Sequence, residues 1–254
     1  MRLVVCAKQV PETSAVLKVS AGALDPQPGG FLPAMNPYDE FALEAALRLR
    51  EGTGSGEIVL LTATSEPVEE MIFHGLAMGA DRAVVLDMPP GRRPDPLATG
   101  RLLARELREL RPDIVLCGER AVDDDAAQVG AVIAEELSFP QIAGVESVEL
   151  NAAMSALRAR SRRGPALQVY ACPLPCVLTF ARGPELPRYP SLEAIQSAAE
   201  KRVERRFCDP GENVVERVEL FAADEERGGE LIRGAAEKAV ELLLDRIDSR
   251  TDVL

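Results

Sequence analysis

Short apolar runs alternate with longer amphipathic segments through the first half of the chain. Runs of this kind, rich in valine, isoleucine and leucine, predict buried β-strands. The segments between them have apolar residues at the i, i+3 and i+4 positions that are typical of helices packed on a core. The predicted strands are 3–7, 58–63, 83–86 and 114–117, and the predicted helices are 38–51, 67–78 and 96–110.

This alternation predicts an α/β fold. Strands that follow one another through helical connections form a parallel sheet, and the helices then cover both of its faces. Right-handed crossovers bring the carboxyl ends of these strands to one edge of the sheet. We therefore expect a twisted parallel sheet in a Rossmann-like, three-layer arrangement that binds its ligand at the carboxyl edge.

The pattern changes after the acidic segment near the middle of the chain. An arginine-rich segment, 158–163, is interpreted as a turn between two strands. The predicted strands in this part are 145–150, 166–170 and 176–180.

The last part of the chain is predicted to be less regular. The proline-punctuated stretch 183–191 is not expected to form regular structure, and Ser191 is suited to cap a helix over 192–202. Polar residues at 207–229 then precede an amphipathic helix at 229–247, which is expected to form a C-terminal arm.

The first long helix has a clear start signal. Asn36 is a suitable N-cap, Pro37 suits the first helical position, and Asp39 supplies early negative charge. The residues before it, 13–35, are rich in glycine, proline and serine. We expect them to form a long loop or small hairpin across the carboxyl edge, where loops of this length are often functional.

The segment 118–130 follows directly after a predicted buried strand and contains three consecutive aspartates, at 123–125. One interpretation is a capped surface helix over 126–137, because acidic residues stabilise the start of a helix. The other is a ligand loop, because this loop lies at the carboxyl end of a strand and the N–H groups of the following helix attract phosphate.

The charge of the chain limits its partners. A formal net charge of −12 argues against binding to nucleic acid and to anionic membranes. The sequence contains neither an export signal nor an apolar run of membrane-spanning length, so a cytoplasmic protein without direct membrane insertion is expected.

The cysteines have no metal-type spacing and are expected to be buried free thiols. They are Cys6, Cys117, Cys172, Cys176 and Cys208.

The sequence has only one histidine, His74, within a predicted helix. It is expected to be a packing or surface residue, so no histidine-based triad and no histidine zinc site is expected. No metal site and no catalytic residue is predicted, and the chain is not expected to be an enzyme. The two common glycine-rich phosphate-binding motifs are also absent.

Five segments in order resemble the β subunit of the electron transfer flavoprotein family. They are VCAKQVP at 5–11, NPYDEFALE at 36–44, AMGADR at 77–82, CGERAVDDDAAQVG at 117–130 and PRYPSL at 187–192. The resemblance implies an αβ heterodimer that carries electrons, with FAD held mainly by the α subunit and AMP held by this chain. It also implies a nucleotide-binding domain at 1–190, and a recognition loop, helix and partner-contacting arm at 191–254.

Carried over by motif, the nucleotide pocket consists of residues from the strand ends and from the segment 118–130. They are Cys6, Ala7, Asn36, Ala63, Gly118, Ala121, Asp124, Gln128 and Val129. The small side chains allow close approach of the adenosine. Asp124 is expected to accept a hydrogen bond from a ribose hydroxyl, and Gln128 to hold phosphate together with N–H groups at the helix start.

The resemblance does not decide whether this chain binds AMP or a second FAD. Electron-bifurcating members of the family, which react with NADH, bind a second FAD and tend to have glycine where this chain has Asp124. That side chain favours AMP, although the sequence at 127–130 is similar to the bifurcating members.

The resemblance also implies a recognition site. Leu192 matches a leucine that anchors β subunits on acyl-CoA dehydrogenases, and Arg188 and Tyr189 flank it. The expected donor is thus a dehydrogenase of fatty acid oxidation, and the expected acceptor a quinone oxidoreductase. An ordinary leucine packed inside the protein is the alternative for Leu192.

Two departures from the family pattern leave a third function open. Arg160 is followed by serine and two arginines where the family has an acidic residue, and Thr13 stands where some members have an aromatic residue. A nucleotide-binding adaptor that no longer carries electrons is therefore the remaining alternative.

Overall fold

The computed structural model describes residues 1–12, 18–20, 23–25, 33–215, 218–219 and 231–248. Its strands are β1 (Arg2–Cys6), β2 (Gln9–Pro11), β3 (Lys18–Ser20), β4 (Ala23–Asp25), β5 (Pro33–Met35), β6 (Glu57–Thr64), β7 (Arg82–Asp87), β8 (Ile114–Gly118), β9 (Gln141–Leu150), β10 (Ala156–Arg163), β11 (Ala166–Pro173), β12 (Cys176–Phe180) and β13 (Arg202–Phe207). Its helices are α1 (Pro37–Thr53), α2 (Glu69–Met78), α3 (Pro96–Leu110), α4 (Val129–Leu137), α5 (Leu192–Ala198) and α6 (Ala236–Asp248).

A nine-stranded sheet forms the centre of the fold, in the order β11-β10-β9-β12-β8-β1-β6-β7-β13. The strands from β9 to β13 in this order are parallel to their neighbours, whereas β10 and β11 extend the sheet as antiparallel strands. Two small antiparallel sheets, β2 with β5 and β3 with β4, lie between β1 and α1 in the sequence. The predicted α/β fold is confirmed.

Hydrophobic cores lie on both faces of the sheet, because alternate residues of a strand point to opposite faces. Leu3 and Val5 of β1 belong to the core that contains residues of α1 and α2. Val4 and Cys6 belong to the core that contains residues of α3. The protein therefore has three layers, with helices on either side of the sheet.

The chain order reverses beside β1. It runs from β1 to β6 and β7 on one side and then returns to β8 on the other. Open α/β sheets bind ligands in the crevice at such a switch point. The carboxyl ends of β1 and β8 are therefore the place to look for a site.

Two local predictions were wrong. The segment 158–163 belongs to strand β10, because Leu157, Ala159 and Ser161 alternate as buried residues with exposed arginines. The helix that starts at Leu192 ends at Ala198, because the following residues pair with β7 as strand β13.

A prediction about the segment 118–130 was also wrong. Helix α4 begins at Val129, not at 126, and its first turn contains no acidic residue. Residues 122–124 form a turn, so the aspartates do not cap the helix. The hairpin expected within 13–35 is represented by β3 and β4, while Thr13 lies outside the described residues.

The C-terminal region also differs from expectation in extent. The sheet continues beyond residue 190, because β13 is its last strand. A helix is present in the predicted arm, but it begins at Ala236 instead of 229, and none of its residues is buried. Within the described part of the chain, no helix is both long and apolar enough to cross a membrane.

Candidate functional site

The carboxyl ends of β1 and β8 lie side by side. Cys6 and Cys117 are paired across the two strands, and Ala7 donates its N–H to the Leu61 carbonyl at 2.9 Å. Cys6 and Ala7 are buried, whereas Ala63, near the end of the neighbouring strand β6, is half-buried. The small side chains predicted from the sequence thus line adjacent strand ends.

Asp39, in the first turn of α1, joins these strand ends. Its carboxylate accepts the N–H groups of Lys8 and Gly118, each at 2.8 Å. The side chain is buried, and burial raises the pKa of Asp39 to about 7 even though these hydrogen bonds lower it. A titratable carboxyl therefore fixes the geometry of the switch point.

Gly118 has no room for a side chain. A Cβ at this position would lie 2.3 Å from Asp39 Oδ1 and 2.8 Å from Tyr38 Cβ. The absence of a side chain is thus required by α1 within this chain, whether or not a nucleotide approaches.

Asn36 joins the start of α1 to the acidic loop, which we define as residues 119–128. Its Nδ2 donates to the Arg120 carbonyl at 2.9 Å, and its Oδ1 accepts the Val122 N–H at 3.3 Å. The side chain is 1% exposed and does not cap the backbone N–H groups of its own helix. Asn36 occupies the N-cap position, but its side chain holds the acidic loop instead.

Lys8 holds the acidic loop from the β1 side. Its ammonium lies 2.8 Å from Asp123 Oδ1 and 2.8 Å from Asp124 Oδ2. Burial lowers the pKa of Lys8, but the two carboxylates outweigh burial, so the pKa is raised. Asp124 Oδ1 also accepts the Ala126 N–H at 3.1 Å. Asp124 is therefore oriented by two partners while remaining exposed.

The acidic loop adopts a demanding backbone conformation before α4. Asp125 and Ala127 have φ angles of 50° and 54°, in the left-handed region. Ala121 accepts the Asp125 N–H at 2.8 Å, which closes the loop. Gln128 occupies the N-cap position of α4, is exposed, and makes no capping hydrogen bond. The first N–H groups of α4 therefore lack a side-chain cap.

Several residues of this site were not predicted from the sequence, namely Lys8, Tyr38, Asp39 as a bridging group, and Arg120. The Arg120 guanidinium lies 5.3 Å from the centre of the Tyr38 ring and 3.2 Å from Asp125. Position in the sequence offers a signal for Lys8, which follows directly after a predicted strand. The other contacts join distant segments and have no local signal.

The structure brings most of the predicted pocket residues to one edge. Cys6, Ala7, Asn36, Gly118 and Ala121 lie at the strand ends or hold the acidic loop, as the contacts above show. Asp124, Gln128 and Val129 follow in that loop and at the start of α4. Ala63 stands one strand away, on β6.

The predicted recognition residues lie elsewhere, after β12. Arg188 binds Glu44 of α1 with Nε–Oε2 at 2.8 Å and also contacts Glu51. This ion-pair cluster holds a loop on which Tyr189 is 96% exposed and Leu192 is 72% exposed. Leu192 is therefore not packed inside this chain.

Groups suited to acid–base or metal chemistry are scarce in the described residues. They contain no cluster of three or more histidine, cysteine or acidic residues that could hold a metal. His74 contacts Glu40 at 3.1 Å, and all the cysteines are free thiols.

Comparison with known proteins gives a consistent family. The model of the electron transfer flavoprotein domain matches residues 33–206. The electron transfer flavoprotein subunit beta of Thermoanaerobacterium thermosaccharolyticum is 32% identical over 267 residues, covering 98% of this chain and 99% of that protein.

Two other relatives have more specific names. The caffeyl-CoA reductase-Etf complex subunit CarD of Acetobacterium woodii is 32% identical, with 92% of each chain covered. Protein FixA of Azorhizobium caulinodans is 37% identical over 78% of this chain and 72% of its own. The chain therefore belongs to the electron transfer flavoprotein family, among its β subunits, which are electron-transfer subunits and not catalytic enzymes.

Proposed function

We propose that this chain binds AMP at the switch point and supports an FAD held mainly by an α-type partner subunit. The observation that carries the proposal is the convergence of α1, β1, β8 and the start of α4 on one edge. There, the N–H groups of α4 have no side-chain cap, and Gln128 has no partner in its own helix end. Such a helix start suits a phosphate.

The residues at this edge fit an adenine nucleotide. Gln9 Oε1 is a buried acceptor without a hydrogen-bond donor among the described residues, while Gln9 Nε2 donates to the Pro67 carbonyl at 2.8 Å. A buried acceptor without a donor is costly, and a ribose hydroxyl or an adenine amino group supplies one. Asp124 retains acceptor capacity, because a carboxylate has about four lone-pair sites.

The protein's own groups then have defined roles. Asp39 and Asn36 set the spacing between the strand ends and the acidic loop, and Lys8 orients Asp124. The bound nucleotide completes the packing of this edge. The flavin supplies the electron chemistry, and this chain supplies binding and orientation.

Electron transfer flavoprotein β subunits function with an α partner, and we propose further partners on the recognition loop. A dehydrogenase, of the acyl-CoA type, is the proposed donor, and a quinone oxidoreductase is the proposed acceptor. The exposed Tyr189 and Leu192 suit a small apolar anchor in a partner's pocket. A cytoplasmic location agrees with this function.

The alternative is a β subunit that binds a second FAD in an electron-bifurcating complex. The name of the Acetobacterium woodii relative favours this alternative, because it describes a complex with a reductase. The Asp124 side chain, held by Lys8 beside the pocket, favours the smaller nucleotide.

Two exposed residues, the N-cap of α4 and a residue within that helix, test the proposed site. The chain is co-expressed with its α-type subunit, and the nucleotide that remains bound through gel filtration is measured. We expect Gln128→Ala to lower retention of the second nucleotide about tenfold, since hydrogen bonds to charged groups contribute about 1.5–3 kcal/mol. Glu135→Ala, at an exposed position of the same helix, is the control and should not lower it. Equal retention in both variants would remove Gln128 from the site.

A further inference from the structure

The chain turns back to the start of α3 after β13, the last strand in the sequence. Cys208 continues the pairing of β13 by donating its N–H to the Asp87 carbonyl at 2.8 Å, and Pro210 is buried. None of the later residues that the structure describes is buried. Residues 211–215, which we call the docked segment, thus follow the last buried residue and precede the C-terminal arm.

Asp95, the N-cap residue of α3, binds the docked segment through its carboxylate. Its Oδ1 caps the helix by accepting the Ala98 N–H at 2.7 Å. Its Oδ2 accepts two further N–H groups, from Val214 at 2.6 Å and from Val215 at 2.9 Å. An aspartate needs only one of its oxygens for the cap, so the second oxygen is free to hold another segment.

Two more side chains join the docked segment to the residues before α3. Asn213 Oδ1 accepts the Asp95 N–H at 3.1 Å, and Asn213 Nδ2 donates to the Arg93 carbonyl at 2.9 Å. The Arg92 guanidinium donates to the Gly211 carbonyl. Because these hydrogen bonds run in both directions, they give the docked segment one defined position beside α3.

Polar contacts, not apolar burial, hold the docked segment. Val214 is 71% exposed and Val215 is 68% exposed, whereas Asp95 is 8% exposed. The N–H groups of Ala98, Val215 and Val214 lower the pKa of Asp95, although burial raises it. The carboxylate is therefore charged at neutral pH, and hydrogen bonds to a charged acceptor are stronger than those to a neutral one. The order of the docked segment thus depends chiefly on Asp95.

We propose that Asp95 is a positioning residue for assembly with the α-type partner subunit, because it fixes the point from which the C-terminal arm leaves the core. Helix α6 of that arm begins at Ala236 and exposes its leucines. If the docked segment were free, its residues would have to be ordered when the arm binds, which costs conformational entropy. Ordering them beforehand strengthens the complex. The inference rests on the proposed pairing with an α-type subunit.

A substitution that keeps the cap but removes the second oxygen tests the role of Asp95. In Asp95→Ser the hydroxyl still accepts the Ala98 N–H, because serine is a good N-cap residue. Amide exchange is measured for the full chain alone. We expect peptides that contain Val214 and Val215 to exchange at least tenfold faster in the variant, whereas α3 changes little. Unchanged exchange in these peptides would overturn the proposal.

The dissociation constant of the complex with the α-type subunit measures the effect on assembly. We expect it to rise about tenfold in Asp95→Ser and in Asn213→Ala, which leaves the side-chain cap of α3 in place. Glu212→Ala is the matched control, because it also removes one negative charge, but from an exposed position of the docked segment. The control should bind like the wild type. Equal affinity of the wild type and all three variants would overturn the proposal.

A second substitution, in the arm, separates positioning from a general structural effect. Leu243 of α6 is 49% exposed, and Leu243→Asp should weaken the complex through the arm itself. If Asp95 acts through the arm, Asp95→Ser should weaken the Leu243→Asp complex less than it weakens the wild-type complex. Equal weakening in both backgrounds would show that Asp95 acts elsewhere and would overturn the proposal.

The nucleotide content of the complexes separates this inference from the proposed function. Weaker assembly and faster exchange in Asp95→Ser would support the inference even in complexes that hold no AMP, in which case the proposed function fails. An Asp95→Ser complex with wild-type affinity that contains FAD and AMP would overturn the inference and retain the proposed function. If the wild-type chain forms no complex with the α-type subunit, both fail.

Discussion

Asp39 joins the first turn of α1 to the ends of β1 and β8 through two N–H groups. Its pKa is raised to about 7 because the carboxyl is buried. The unfolded chain releases this proton near pH 4, so between about pH 4 and pH 7 the folded state binds more protons than the unfolded state. Stability from this group is therefore present at low pH and is lost as pH rises towards 7.

Asp39→Asn should remove that pH dependence. Between pH 5 and pH 7.5 we expect the wild type to lose about 2 kcal/mol of unfolding free energy relative to the variant, since one pKa unit corresponds to about 1.4 kcal/mol. Urea unfolding at several pH values measures the difference. A wild-type advantage that grows with pH would show that the N–H hydrogen bonds outweigh burial.

Gly118 gives a second prediction at this scale. In Gly118→Ala the new Cβ would lie 2.3 Å from Asp39 Oδ1, and we expect a loss of about 2–3 kcal/mol from overpacking. Gly52→Ala is the control, because its Cβ meets nothing within 4 Å and α1 should gain about 0.5–1 kcal/mol. Thermal unfolding of both variants checks the contrast, and equal stabilities would contradict the crowding at Gly118.

The sequence predicted the residue types of the site better than their contacts. Glycine and alanine at strand ends have a local signal, because they follow apolar runs. The links from Asp39 to Gly118 and from Asn36 to Arg120 span 79 and 84 positions, so no local pattern reveals them. For this reason Asn36 was interpreted as a helix cap, whereas its side chain binds the acidic loop.

Among the elements, the loop between β12 and α5 depends on one ion-pair cluster. The Glu44 side chain is 3% exposed and binds Arg188 and Arg48. Burial raises the pKa of Glu44, but the two arginines outweigh it and the pKa is lowered. The cluster thus fixes the base of the loop that exposes Tyr189.

Arg188→Ala should release this loop. We expect a loss of about 2 kcal/mol, since Glu44 is buried and keeps one partner while Arg188 itself is partly exposed. Proteolytic cleavage within 183–191 should be faster in Arg188→Ala than in the control, Arg202→Ala. The control also removes an ion pair, but the Arg202 side chain is 73% exposed. Unchanged cleavage would show that the loop is held by other contacts.

Elements with one dominant periodicity were predicted well, and strands β10 and β13 were not. Helix α3 was predicted with its observed bounds, Pro96–Leu110. The edge strand β13 and strand β10, near the opposite edge of the sheet, expose many charged side chains, which hide the alternation of buried and exposed positions. Strand β13 pairs with β7, which is distant in the sequence, whereas β10 pairs with its sequence neighbours β9 and β11. These contacts determine the structure of both strands, where the sequence alone favoured a helix or a turn.

For the whole molecule, helix α6 has an exposed apolar face that we expect the partner subunit to cover. Its leucines at 242, 243 and 244 are about half exposed, although the helix is amphipathic. We expect removal of 229–254 to weaken binding to the α-type subunit at least tenfold, because the apolar face loses its partner. Equilibrium titration measures this, and unchanged affinity would contradict the role of the arm. The stability of the truncated chain alone should change little, since no residue of α6 is buried.

Family membership limits the function of the whole molecule more than the composition does. The matches to electron transfer flavoprotein β subunits argue against the adaptor without electron transfer. The family match ends at residue 206, so the arm is the part least defined by it.

The most direct measurement is the identity and amount of nucleotide released from the purified αβ complex. We expect one FAD and one AMP for each heterodimer, with the AMP lost when the switch-point residues are changed. Two FAD would establish the bifurcating alternative. A complex with FAD on the α subunit and no second adenine nucleotide would show that this chain does not bind a nucleotide where β1 and β8 end.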